Sequence, residues 1–295
     1  MFRCLLILAL CLLVVPPTRA GQHFASVSFH DVVDFPGDLD EEAMTVDRLI
    51  GFFEWLRVNR WATISLDDVE AARLGSQPLP ERAILITFDD GYRSVYTRVF
   101  PLLLAYRIPV VVSLVGVWMD APMEAKVRYG DSDVPRARFL HWEEAREMAR
   151  SGLVEFASHS YDLHRAVQGN PQGNELPAAY ARRYTPGRGY ESAAEFRERI
   201  ADDFAKSRAL LTERLGRAPR ALVWPYGRYT GATVEAEASI ESSPSGEAAN
   251  QCQQDIDRNR VVATQRNNDV GVALARFDEF QVHRLDRAEV LLDHG

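Results

Sequence analysis

The feature that most restricts how this chain can fold is a set of strand-length apolar runs with few polar interruptions, each parted from the next by other, often helical, sequence. The runs are Phe24 to Phe29, Ala83 to Phe88, Pro109 to Val115, Leu153 to Ala157 and Ala221 to Trp224. A strand with one wet face alternates apolar and polar residues, whereas a continuous run belongs to a strand covered on both faces, as in a parallel sheet. Helical stretches are predicted over about Glu41 to Asn59, Ser94 to Tyr106, Trp142 to Ser151 and Ser192 to Leu215. In the last of these, Phe196, Ile200, Phe204, Leu211 and Leu215 fall on one stripe at helical spacing. Strand followed by helix, repeated, predicts an α/β fold built as a parallel (β/α) barrel. A chain of 295 residues suits one such domain better than two.

Active sites of these barrels gather at the carboxyl ends of the strands, and the residues with the most chemistry stand there. His30 follows the first run, Asp89 and Asp90 follow the second, and His159 lies just beyond the fourth. The block Thr87-Phe88-Asp89-Asp90-Gly91-Tyr92 and the segment Ser158-His159-Ser160-Tyr161-Asp162-Leu163-His164 together suggest a metal-dependent hydrolytic site. One Asp and two His give a divalent ion mixed oxygen and nitrogen ligands with a coordination position left open, and the second Asp is then available as a base. Adjacent residues of a regular strand point to opposite faces, so the pair needs the sharp turn that Gly91 allows. His159 and His164 are five residues apart, one more than the spacing that aligns two side chains on a helix, so a loop must present them. Taken alone, Asp-Asp-Gly is an ordinary turn and a loop histidine pair an ordinary surface feature. Each weighs the other toward a metal site.

Further candidates surround that set. His30 suits a general acid, because imidazole exchanges its proton near neutral pH, and Asp31 and Asp34 are candidates to hold its ring. Asp162 either orients an imidazole or faces solvent. In Trp224-Pro225-Tyr226-Gly227 the aromatic faces of Trp224 and Tyr226 match sugar rings, with core packing an equal expectation for Trp224. The backbone amide of Tyr92 is a candidate to stabilise a developing oxyanion. His141 fits a structural role at a helix start, while His23, His283 and His294 carry no motif.

These blocks, TFDDG, SHSYDLH and WPYG, occur in an order that resembles the polysaccharide deacetylases, over roughly Phe24 to Tyr229. The early His30-Asp31-Val32 narrows the likeness to their exopolysaccharide branch, which acts on poly-β-1,6-N-acetyl-D-glucosamine, and the five-residue histidine spacing is similar to that branch. The resemblance implies a distorted barrel of fewer than eight strands. It also implies Asp90, His159 and His164 as metal ligands, Asp89 as general base and His30 as general acid, with Tyr92, Trp224 and Tyr226 in substrate contact. Zinc is the expected ion, and two His with one carboxylate also accommodate iron, cobalt or nickel. The implied reaction is removal of acetyl groups from N-acetylglucosamine units. Peptidoglycan or chitin oligomers are alternative substrates, and an inactive carbohydrate-binding homologue is a rival of another class. A glycoside hydrolase fits poorly, since its two carboxyl groups stand about 5 Å or more apart across the bond they cleave.

Composition and termini set the remaining bounds. A net charge of −8 argues against nucleic acid as a partner and favours a neutral or cationic one. Met1-Phe2-Arg3, the apolar stretch Cys4 to Val15 and the exit Pro16 to Ala20 predict an export signal over 1–20, with a retained anchor as the alternative. Leu8-Ala9-Leu10-Cys11 falls short of a lipidation site because Leu10 is bulky. The expectation is a periplasmic or extracellular protein that associates with an exopolysaccharide export system. Cys252 is the one cysteine beyond the signal, so no internal disulfide forms. Residues 21–235 are expected to form the barrel domain, with Gly169 to Gly189 a long loop near its mouth. Residues 236–295 form a divergent region, irregular over Ala236 to Gln254, with Arg260 to Thr264, Val270 to Leu274 and Phe280 to Leu292 as candidates to close the barrel. Closure at this end is left open.

Overall fold

The computed structural model describes residues 23–38, 43–234, 236, 261–264 and 273–276. The predicted signal, most of the divergent region and the candidate Phe280 to Leu292 lie outside the described residues. The first half runs through β1 (His23–Phe29), β2 (Val32–Val33), β3 (Met44–Thr45), α1 (Val46–Val58), β4 (Ala62–Thr63), α2 (Leu66–Arg73), β5 (Ala83–Phe88), α3 (Phe100–Tyr106), β6 (Val110–Leu114) and α4 (Gly116–Asp120). Then come β7 (Lys126–Tyr129), β8 (Ser132–Pro135), α5 (Trp142–Arg150), β9 (Val154–Ser158), β10 (Ala166–Gln168) and β11 (Glu175–Pro177). The chain continues with β12 (Tyr184–Thr185), β13 (Gly189–Tyr190), α6 (Ala193–Leu215), β14 (Ala221–Trp224), β15 (Val261–Thr264) and β16 (Ala273–Arg276).

Each continuous apolar run becomes a strand of one eight-stranded sheet, ordered β15-β14-β9-β6-β5-β1-β16, with β4 also on β5. From β1 to β15 every pairing is parallel, and β16 adds antiparallel to β1. Successive core strands lie side by side, which is the winding of a barrel rather than of a doubly wound sheet. Among the described residues β15 and β16 remain the two ends of that path, so the sheet curls into an incompletely closed barrel. No helix among them is long and apolar enough to cross a membrane.

Alternation within the buried strands sorts the core into two faces. Ile84, Ile86, Phe88, Val110, Val112 and Leu114 pack outward with the aromatic side chains and surrounding helices. Ala83, Leu85, Val111, Ala157 and Val223 pack on the other face with Leu66 and Val69 of α2. Continuing that second face two residues at a time leads from Leu85 through Thr87 to Asp89, from Val111 to Ser113 and from Ala157 to His159. One face is thus apolar at its amino end and polar at its carboxyl end.

Local sequence explains the helix boundaries. Ser65 with Asp68 and Ser192 with Glu195 form reciprocal caps at the starts of α2 and α6, and Gly216 ends α6 in the left-handed region at φ 76°. The helix predicted over Ser94 to Tyr106 is split. Val95–Val99 is a π-turn, with Phe100 N–H donating to Val95 O, before α3 begins. Pro101 has no N–H to donate at the start of α3, so the α ladder cannot run unbroken through this point. The stretch expected as a loop over Gly169 to Gly189 contributes to short hairpins, its β11 pairing with β10 just before it and its β12 with β13 at its end.

Candidate active site

The two aspartates arrive on the end of β5. Register sets Phe29 beside Phe88 and Phe88 beside Val112, and Asp89 N–H still donates to Phe29 O at 2.8 Å. The turn expected at Gly91 begins one residue earlier: Asp90 has φ 71° and Gly91 φ 72°. Asp tolerates this left-handed region better than most side chains, and the reversal sends the two carboxylates in different directions. A Cβ on Gly91 would lie 2.6 Å from Leu114 Cδ2, so the turn also requires glycine for space.

Asp89 is fully buried, with Ser28 Oγ donating to its Oδ2 at 2.6 Å and Ser113 Oγ to its Oδ1 at 2.8 Å. Hydroxyls from the strands on either side therefore fix both oxygens. Asp90 lies among the ligand candidates. Its Oδ1 is 3.4 Å from His159 Nε2 and 3.2 Å from His164 Nε2, while its Oδ2 accepts from Tyr129 Oη at 2.9 Å. One ligand atom from each of Asp90, His159 and His164 lies within 4.8 Å of the others. His159 Nδ1 bonds Val223 O at 2.8 Å, which turns Nε2 toward Asp90.

These donors fit a divalent ion. Asp90 Oδ1 and His159 Nε2 are buried and have no hydrogen-bond partner among the described residues, although they face each other. Buried polar atoms are normally satisfied, and a cation shared between them would satisfy both. Electrostatics agree. Burial alone would push the Asp90 carboxyl up, but the charge of His164 and the facing His159 imidazole outweigh it and hold the group well below the usual carboxylate range. Burial opposes protonation of His159, yet Asp90, Asp89 and the Val223 carbonyl raise its proton affinity above the ordinary imidazole value. A cation in place of that proton meets the same attraction.

The other predicted residues divide. His30 is buried after β1, and its charge also acts on Asp90. Asp31 and Asp34, candidates to hold its ring, are engaged by arginines: Asp31 by Arg138 at 3.1 Å and Asp34 by Arg98 at 2.8 Å. Asp162 faces outward and takes Arg165, so it does not orient an imidazole. The Tyr226 ring stands 4.5 Å from that of His164, on a backbone at φ 57°. Of the five non-glycine residues with positive φ among the described residues, Asp90, Ser160 and Tyr226 belong to this region, and strain of this kind clusters at functional sites. The Trp224 side chain is fully buried, T-shaped against Phe204 and stacked on Tyr229, which is the packing alternative rather than a face open to a sugar. Tyr92 is likewise buried, its ring 5.4 Å from Phe139 with Arg138 over it. Burial and the Asp90 charge raise its phenol far above the ordinary tyrosine range. His141 precedes α5, where its N–H donates to Glu144 in the structural role expected.

Sequence reading missed Ser28, Ser113 and Tyr129. A serine inside a buried apolar strand is itself a signal, because an unpaired hydroxyl there is costly. Tyr129 comes from the hairpin of β7 and β8 and has no comparable mark.

Comparison with known proteins places the chain among deacetylases by sequence and by fold. The family profile described as polysaccharide deacetylase matches residues 76–243. The poly-β-1,6-N-acetyl-D-glucosamine N-deacetylase of Escherichia coli K12 is 42% identical over 213 residues, covering 72% of this chain and 32% of that protein. The chain thus spans about a third of the length of this curated relative. The deacetylase domain of BpsB from Bordetella bronchiseptica superposes with a TM-score of 0.68 at 44% identity, covering 76% of this chain and 88% of that one. A de-N-acetylase from Aggregatibacter actinomycetemcomitans gives a TM-score of 0.73 at 30% identity, covering 85% and 97%. With its family profile, its sequence likeness and its fold in accord, this chain belongs to the polysaccharide deacetylase family.

Proposed function

We propose that the chain is a metal-dependent N-deacetylase that removes acetyl groups from N-acetylglucosamine units of a β-1,6-linked biofilm exopolysaccharide. The observation that carries this reading is the convergence of the Asp90, His159 and His164 donor atoms beside the doubly hydrogen-bonded Asp89. Asp90, His159 and His164 would hold the ion, with zinc favoured and iron, cobalt or nickel also suited to the donor set. When bound, a divalent ion supplies Lewis-acid polarisation and lowers the proton affinity of water.

The protein's own groups supply the proton transfers. Asp89, held by Ser28 and Ser113, takes a proton from the attacking water as its oxygen bonds to the acetyl carbonyl carbon. His30 gives a proton to the sugar nitrogen as the carbon–nitrogen bond breaks, leaving acetate and a free amine. The Tyr92 amide is the proposed donor to the developing oxyanion. Tyr226, partly exposed beside His164, is the better placed of the two aromatic candidates for substrate contact, since Trp224 is buried against Phe204 and Tyr229. A net charge of −8 suits a polymer that gains ammonium groups as it is processed. The export signal expected over 1–20 from the sequence and the likeness to exopolysaccharide deacetylases support export to the periplasm or cell exterior, where an exopolysaccharide export system is the proposed associate.

Acetate release from β-1,6-linked N-acetylglucosamine oligomers, compared with chitin oligomers and peptidoglycan, tests the proposal. The expected result is release from the β-1,6 oligomers, abolished in Asp89→Asn. A protein that binds the glycan but releases no acetate, even with divalent ions supplied, would instead be a carbohydrate-binding homologue.

A further inference from the structure

No helix holds His159 and His164, so the loop between β9 and β10 needs another support. Tracing its backbone shows where that support comes from. His159 N–H donates to Leu114 O at 2.9 Å, Ser160 N–H to Ser158 Oγ at 3.1 Å and Leu163 N–H to Ser160 Oγ at 3.1 Å. The N–H groups of Tyr161 and Asp162 donate to the two oxygens of the Asp203 carboxylate, both at 2.7 Å. On the other side, the carbonyls of Ser160 and Tyr161 accept from Gly116 N–H at 3.0 Å and Val117 N–H at 2.8 Å, at the start of α4. A Cβ on Gly116 would sit 2.6 Å from the Tyr161 ring and 3.1 Å from its Cα, so the loop packs directly on that glycine.

Asp203 belongs to a polar row on α6 at four-residue spacing. Arg199 binds the Ala178 and Ala181 carbonyls and Glu191, and Ser207 Oγ shares a hydrogen bond of 2.7 Å with Ser158 Oγ. Burial pushes the Asp203 carboxyl up to about 6, against the opposing pull of the Tyr161 and Asp162 amides. A carboxylate is costly to bury unless several donors compensate it, and here the donors are main-chain N–H groups of the ligand-bearing loop.

We infer that Asp203 is a positioning residue for the metal centre: by gripping the Tyr161 and Asp162 N–H groups it sets the span at which His159 and His164 both face Asp90. The inference rests on Asp90, His159 and His164 being the ligands of the ion. Its test is zinc affinity of the full chain, measured by competition with a chelator for wild type, Asp203→Asn and Asp203→Ala, with hydrogen exchange at Tyr161 and Asp162. The zinc Kd is expected to rise about tenfold in Asp203→Asn and toward a hundredfold in Asp203→Ala, the range seen when groups supporting ligands are removed. The far-ultraviolet spectrum should be unchanged, and turnover at saturating zinc should recover further than turnover at limiting zinc. Wild-type Tyr161 and Asp162 amides should be protected from exchange. Wild-type zinc affinity in both variants would overturn the inference, as would unprotected Tyr161 and Asp162 amides in the wild type, a measurement that needs no variant to fold. A wild type that binds no zinc would remove the metal reading itself, a result distinct from zinc binding that is indifferent to Asp203.

Discussion

Asp89 and Asp90 reach the site on the end of a sheet ladder, whereas His159 and His164 reach it on a loop fastened by side chains and helix ends far away in sequence. The aspartates inherit their position from β5, whose six residues are all buried between β1 and β6. The register that aligns Phe88 with Phe29 and Val112 also brings Ser28 and Ser113 onto Asp89. The histidines depend on Asp203 of α6, on Gly116 and Val117 of α4 and on Val223 of β14. A site built this way joins a rigid half that carries the proposed base to a fastened half that completes the proposed ligand set. Damage at Asp89 should appear in chemistry, and damage to the histidine loop in metal affinity.

The largest expected effect is on the rigid half. Asp89→Asn should lower acetate release by about 10²–10⁴-fold, the usual range for a positioned general base, while zinc content stays at the wild-type level. Loss of zinc in that variant would break the division between the halves. Gly116→Ala strikes the fastened half, because its new Cβ would meet Tyr161 at 2.6 Å. Denaturant unfolding should report a loss of about 1–3 kcal/mol, the scale of overpacking, together with weaker zinc binding. Unchanged stability and affinity would show that the loop has slack.

Tyr129→Phe tests the join between the halves, since its hydroxyl holds the Asp90 oxygen turned away from the histidines. A chelator competition should show the zinc Kd rising about tenfold, with turnover at saturating zinc nearly retained. An equal fall in turnover at all zinc concentrations would instead put the phenol in the chemical step. The smallest effect is on pH dependence. The native carboxyl of Asp203 sits at about 6 against 3.8 for an unperturbed one, so the native state holds this proton more tightly than the unfolded chain does. Its stabilising contribution is full below 3.8 and is lost as pH rises through about 6. Across that window, wild-type stability should decline relative to Asp203→Asn by up to about 1.4 kcal/mol per pH unit. Parallel curves for the two proteins would mean that burial does not perturb Asp203.

Legibility in the sequence follows the same division. The rigid half could be read because its signals are local: the buried run Ala83 to Phe88 has the same bounds as β5, and Asp89 to Gly91 follow it directly. The bounds of β14 and the apolar stripe of α6 were equally plain. What stayed hidden depends on register and distance. Ser28 meets Asp89 across 61 residues and Ser113 across 24, so nothing near the motif announces either. Asp203 is an ordinary acidic position within a helix until its partners, 41 and 42 residues earlier, are known. Short hairpins around Gly169 to Gly189 escaped notice because strands of two or three residues leave almost no periodic signal. Trp224 shows the limit of residue type alone: a large aromatic ring fits a core and a sugar site equally well, and burial decides for the core.

The central claim is that Asp90, His159 and His164 grip one cation, and the most direct measurement is anomalous diffraction from crystals grown with zinc, collected on both sides of the zinc absorption edge. One strong peak is expected, bounded by Asp90 Oδ1 and the imidazole nitrogens of His159 and His164 and absent in Asp90→Ala. A peak elsewhere, or none among these three side chains at saturating zinc, would contradict it.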